Sequence, residues 1–223
     1  MTGIAPAVLP RRDCALCPRL AAFREVQQKT HPDWFNAPVP PFGDERAELL
    51  IVGLAPGLRG ANRTGRPFTG DYAGDLLYQT LRKFGFAEGA YDARPDDGLR
   101  LSRVRITNAV RCVPPQNRPE PSEITNCGRF LAAEIAAMVG LRAILALGAI
   151  AHQSVLAALG IRRALFTFAH GRTHALPSGL ILADSYHCSW LNTNTGKLSA
   201  EMFEAVFVTL SNRLGLSQAE GAP

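Results

Sequence analysis

The 223-residue sequence predicts an α/β fold with a parallel sheet covered by helices on both faces. Apolar runs that read as strands alternate with segments whose apolar residues repeat at helical spacing. The stretches after three of those strands, 54–72, 111–121 and 186–198, are also the most unusual in composition. In open parallel sheets, ligands gather beyond the carboxyl ends of the strands. The coincidence of odd loops with that edge predicts a site there.

Along the chain, CALCPRL and AAFREVQQ within residues 11–27 predict a short helix. Residues 30–47, with four prolines, predict an irregular crossing segment. ELLIVGL at 48–54 is a central strand. GDLLYQTLRKFG at 74–85 is a helix with Leu76, Leu77, Thr80, Leu81 and Phe84 on one face. Residues 88–100 read as a polar loop and VRITNAV at 104–110 as a second strand. CVPPQNRPEPSE at 112–123 is a proline-rich loop that runs into a helix, EITNCGRFLAAEIAAMV. AILALG is a third strand, AIAHQSVLAALG a helix and LILADS at 180–185 a fourth strand. A last helix begins near Ser199 and turns Met202, Phe203, Val206, Phe207 and Leu210 inward. The whole reads as one domain over 1–215, with 216–223 a frayed tail.

Apolar residues make up 47% of the chain, enough for a core without disulfide staples. Lys and Arg number 24 against 19 acids. That excess suits a polyanionic partner and equally suits a basic soluble enzyme. The N-terminus has no charged leader before its short apolar stretch, and the longest apolar region is interrupted by His152 and Gln153. Neither a signal peptide nor a membrane span is expected. A cytoplasmic protein whose cysteines are reduced or metal-bound is expected.

Residues 53–75, GLAPGLRGANRTGRPFTGDYAGD, contain six glycines directly after a strand. The run from Gly60 to Pro67 approaches a Walker loop, but Arg66 replaces its lysine and Pro67 offers neither a hydroxyl nor a backbone donor. No GxGxxG is present. So many glycines imply close backbone approach or positive φ angles. Cys14 and Cys17 form a CxxC, and Cys112 and Cys127 stand far downstream. Two further cysteines make a four-thiolate site for zinc or a [4Fe–4S] cluster plausible, with burial of Cys112 and Cys127 as core thiols the alternative.

GLAPGLRGANRTGRPFTGD, the cysteine arrangement and SYHCSWLNTNTG at 185–196 together resemble the iron–sulfur uracil-DNA glycosylases, and more closely the fifth, b-type family. The fourth family carries an acidic residue directly after the first glycine, where this chain has Leu54. The resemblance covers nearly the whole chain. It implies a three-layer α/β/α domain around a four-stranded parallel sheet, with a [4Fe–4S] cluster on Cys14, Cys17, Cys112 and Cys127. It also implies hydrolysis of the bond between deoxyribose and uracil, or another deaminated base such as hypoxanthine, leaving an abasic site. The implied partner is DNA, bound by a monomer.

On that reading the base is flipped into a pocket. The glycine loop, through Gly53, Ala55 and Gly57, forms its floor. Phe68 stacks on the pyrimidine, and Asn108 and Asn117 are pocket amides, since an amide offers both donor and acceptor. His187 donates to the leaving base, although a histidine after a strand is, taken alone, more often structural. Asp71 faces the sugar cation or directs water, and also stands where it would cap the next helix. Asp75 falls on the helix surface, and Asn192 positions water or phosphate. Trp190 and Leu191 form an apolar tip suited to a wedge. Arg59, Arg63, Arg66, Arg111, Arg118 and Lys197 are candidates for phosphate contacts. Two other classes compete: an iron–sulfur or zinc DNA-binding module without catalysis, and a small-molecule N-glycoside hydrolase.

Overall fold

The structure is a computed structural model and describes residues 9–215. The expected tail at 216–223 lies outside the described residues. Helix α1 (Pro18–Thr30) follows the CxxC, with Pro18 at its first turn, where a missing N–H costs nothing. Strand β1 (Leu49–Gly53) leads into the glycine loop, which contains one short helical turn, α2 (Ala61–Thr64). Helix α3 (Tyr72–Lys83) comes next, then a two-stranded antiparallel pair, β2 (Ala87–Glu88) and β3 (Arg100–Leu101). Strand β4 (Val104–Asn108), α4 (Pro121–Ala137), β5 (Ala143–Leu147) and α5 (Ala149–Ala158) continue the alternation. Short strand β6 (Thr173–Ala175) precedes β7 (Ile181–Ser185), α6 (Trp190–Asn194) and α7 (Ala200–Leu214).

The sheet order is β4-β1-β5-β7-β6. The first four strands are parallel, as expected, and β6 adds a fifth, antiparallel strand at the edge. Its three residues are too few for sequence periodicity to register. Side chains alternate between the faces. Leu49 and Ile51 of β1 pack with Leu77, Leu81, Phe203 and Phe207 of α3 and α7. Leu50 and Val52 pack with Leu131, Ile135, Val155 and Leu156 of α4 and α5. Met202 is at the surface instead of facing inward. Ser199 caps α7, its hydroxyl accepting from the Met202 N–H.

The chain leaves β1 toward β4 on one side and later returns to place β5 on the other. The topological switch point therefore lies beyond the carboxyl ends of β1 and β5, where a crevice opens in folds of this kind.

Candidate active site

A small cavity of about 30 Å³ lies at that edge, lined by Ala55, Pro56, Gly57, Ala61, Phe68, Asp71, Ala73, Asn108 and His187. It adjoins a wider groove that shares Ala55, Gly57, Asp71, Ala73 and His187 and adds Leu54, Tyr72, Asn117, Ile150, Trp190 and Leu191. Of the residues singled out in the sequence, Ala55, Gly57, Phe68, Asp71, Asn108 and His187 meet in the cavity. Asn117, Trp190 and Leu191 line only the groove. Gly53 lies beneath, where a Cβ would run into Asn108 Oδ1 and the Phe68 ring. Its role is to let those two side chains close over the strand end.

Asp71 stands at the first position before α3, but its side chain makes no capping hydrogen bond. The carboxylate lines the cavity, with the Ala73 and Gly74 N–H groups of the first turn close to it. Its Oδ2 lies against the backbone of Gly57 and Gly60. A Cβ at Gly57 would come within 2.9 Å of that oxygen, and one at Gly60 would overlap it. The close approach of a carboxylate is what the loop's glycines permit. Oδ1 is buried with no protein partner. Burial pushes the Asp71 carboxyl above the usual carboxylate range, opposed by nearby backbone N–H groups and aided by Asp75. Asp75 itself is on the exposed face, as expected.

His187 follows β7 and faces Asp71 across the cavity. Its ring stacks on Phe68, with centroids 5.7 Å apart and an interplanar angle of 27°. Burial holds it down to about 4, so the ring is neutral at pH 7. Its Nδ1 is buried and unpartnered. Unsatisfied buried polar atoms are rare in folded proteins, and a pair in one cavity points to a polar ligand. Because only the neutral ring is tolerated, His187 contributes stability that is present above pH 6.5 and lost as pH falls toward 4. Unfolding titrations should therefore show the wild type losing about 3 kcal/mol relative to His187→Gln between pH 7 and pH 4. A pH-independent difference would contradict a buried neutral ring.

Phe68 is buried and holds a positive φ of 52°. For a bulky residue that left-handed conformation costs about 1–3 kcal/mol and persists only where its surroundings impose it. Asn108, the last residue of β4, is buried beside it. Asn192 lines neither cavity nor groove; its amide instead donates to the His187 carbonyl at 2.8 Å. That hydrogen bond braces the His187 backbone. Trp190 and Leu191 are 56% and 63% exposed and open the short helix α6, which Ser189 caps.

Two of the arginines singled out for phosphates do not reach solvent. Arg66 is buried in a bidentate pair with Asp97, at 2.8 and 2.7 Å. Arg111 is buried against Glu134. Arg59, Arg63, Arg118 and Lys197 are exposed, Lys197 lying over the Tyr186 ring.

The uracil-DNA glycosylase superfamily model matches residues 40–211. A type-5 uracil-DNA glycosylase of Thermus thermophilus is 45% identical over 209 residues, covering 91% of this chain and 94% of that protein. One of Pyrobaculum aerophilum is 41% identical over 198 residues, covering 87% and 86%. The chain belongs to the type-5 uracil-DNA glycosylase family. A type-4 enzyme of Archaeoglobus fulgidus matches over a shorter span, 40% identical across 45% of this chain and 43% of its own length. Membership of the type-5 family supports a glycosylase activity at the family level. Among the described residues no helix is long and apolar enough to cross a membrane.

In this type-5 family member, Cys14, Cys17, Cys112 and Cys127 line a single small cavity with Leu20, Val110 and Phe130. They come from the turn before α1, the α1 cap, the chain past β4, and α4. None is in a disulfide. Arg24 Nη1 donates to Cys112 Sγ at 3.2 Å and the Arg111 N–H to Cys127 Sγ at 3.3 Å. Donors aimed at sulfur suit thiolate ligands, so these residues fit a four-cysteine metal centre. Cys188 lies elsewhere, buried, with its thiol toward the Ala73 carbonyl.

Sequence reasoning missed a second polar cluster. His152, His174 and Asp184 bring potential ligand atoms within 4.8 Å of one another, and this set could hold a metal ion. In the present geometry each imidazole faces its own carboxylate oxygen, at 2.7 and 3.1 Å. These contacts tie α5 and β6 to β7 three residues before His187. The signal was there in three polar residues inside apolar elements, but only the folded sheet brings them together.

Proposed function

We propose that this protein is a DNA repair glycosylase that removes uracil, and other deaminated bases such as hypoxanthine, from DNA and leaves an abasic site. The observation that carries the reading is the pair of unpartnered buried atoms, Asp71 Oδ1 and His187 Nδ1, in one cavity with Phe68 and Asn108. A base rotated out of the helix enters that cavity. Phe68 stacks on its face, and the Asn108 amide reads its edge with a donor and an acceptor. As the glycosidic bond breaks, negative charge grows on the base and positive charge on the sugar. Neutral His187 donates a hydrogen bond from its ring N–H to the base oxygen. The Asp71 carboxylate stabilises the sugar cation and directs the attacking water. Asn117 borders the entrance. Leu54 offers no hydrogen bond at the groove, so base-edge discrimination is loose and hypoxanthine is accepted.

Cys14, Cys17, Cys112 and Cys127 would hold a [4Fe–4S] cluster, whose contribution is to tie the N-terminal segment to the β4–α4 connection. The protein acts as a monomer on DNA. Trp190 and Leu191 fill the space vacated by the base. Replacing both by Ala should slow release from duplex DNA more than from a single strand, which has no vacated space to fill. Equal losses on the two substrates would remove the wedge role. The activity itself is tested by incubating the protein with an end-labelled duplex containing one uracil. Abasic product supports the reading, and binding without product favours a non-catalytic module. Hydrolysis of free deoxyuridine alone favours a small-molecule hydrolase.

A further inference from the structure

The segment between β2 and β3, read from the sequence only as a polar loop, closes onto the backbone of Phe68. Tyr91 Oη donates to the Phe68 carbonyl at 3.2 Å. Tyr78, from α3, donates to the Pro67 carbonyl at 2.6 Å. Asp97 organises the segment by accepting from the Asp92 and Leu99 N–H groups, and the same carboxylate grips Arg66, two residues before Phe68. Arg66 in turn donates to Thr69 Oγ1 at 2.7 Å and lies over the rings of Phe42, Tyr78 and Tyr91. The Asp97 side chain is fully buried, and the Arg66 guanidinium holds its carboxyl well below the usual carboxylate range. On the remaining side, a Cβ on Gly74 would overlap the Phe68 carbonyl and the Tyr91 hydroxyl.

Apart from the two backbone N–H groups by which Asp97 orders its own segment, the polar contacts of this set land on residues 66–69, and the residue at their centre is the bulky one with φ of 52°. A left-handed phenylalanine does not persist unaided. An extended Phe68 would swing its ring away from His187 and open one wall of the cavity. We infer that Tyr91 and Asp97 are positioning residues, which act through Phe68 by holding it in the strained conformation that presents its ring to the base. The inference rests on the glycosylase reading and adds to it a segment outside both sequence motifs.

The test is a double-mutant cycle joined to a measurement that needs no substrate. Asp97→Asn leaves Arg66 with an unpaired charge and can fail to fold, so Tyr91→Phe, which removes one hydroxyl and keeps the ring, carries the test. In single-turnover assays, Tyr91→Phe should slow uracil release about tenfold, the rate equivalent of one hydrogen bond, with DNA affinity unchanged. In a Phe68→Ala background the same substitution should cost nothing further. A residue that merely supports the fold would show the same factor in both backgrounds, and that result overturns the inference. Backbone carbon shifts of Phe68, read by NMR without DNA, should move from the left-handed toward the extended range in Tyr91→Phe. Shifts identical to wild type also overturn it. A wild-type protein that releases no uracil defeats the glycosylase reading, and the NMR result then decides the clamp by itself.

Discussion

Asp71→Asn should leave the fold and the iron content intact, bind DNA as well as the wild type, and slow base release a hundredfold or more. That factor is the scale of a positioned acid or base. The substitution keeps the shape of the side chain against Gly57 and Gly60, removes the charge and exchanges one acceptor oxygen for an NH2 donor. Because burial raises the Asp71 pKa, the ionised carboxylate costs stability at neutral pH. The inactive variant should therefore melt at the same temperature as the wild type or higher, as when an active site is held at the expense of stability. Asp75→Asn, one helical turn along on the exposed face, should change the rate little. Single-turnover uracil release by both variants decides the assignment. If Asp75 matters and Asp71 does not, the catalytic carboxylate has been misplaced.

The second large effect concerns the cysteine centre. The purified protein should be brown and contain about four irons. Cys14→Ala should lose the iron and much of the stability, because the centre joins segments separated by 94 residues in the chain and closes a large loop. Cys188→Ala should keep the iron. Iron analysis together with urea unfolding checks both. A colourless wild type holding stoichiometric zinc, or a Cys14→Ala protein without iron that is as stable as the wild type, would refute the assignment.

The four parallel strands were legible because each is a short apolar run bounded by turn residues, and the positions of Asp71, His187, Phe68 and Asn108 were legible through their motifs. Less legible was anything that depends on where a long side chain turns. Arg66 and Arg111 stand beside loops rich in candidate phosphate contacts, yet both point inward to carboxylates, Asp97 and Glu134, 31 and 23 residues away. Charge composition does not distinguish a guanidinium facing a phosphate from one facing a carboxylate. Asn192 shows a similar ambiguity: an amide serves a ligand or a backbone carbonyl equally well, and here it donates to the His187 carbonyl. Asp71 shows the opposite case. Its place before α3 suggested a helix cap; no capping hydrogen bond forms, and one carboxylate oxygen lies in the space that two glycines leave.

The spread of the four cysteines also bears on the order in which the protein is made. Cys14 and Cys17 leave the ribosome long before Cys112 is synthesised, and Cys127 comes later still. At ordinary elongation rates of about 5–20 residues per second, the first pair waits roughly 5–20 s for its partners. Through that interval the apolar side of the N-terminal helix lacks its partners, since its buried Leu20 packs on Val110, Cys112, Cys127 and Phe130. Nascent chains halted before α4 should hold two reduced, accessible thiols and no iron. Chains halted after α4 has cleared the exit tunnel should be the first able to take it up.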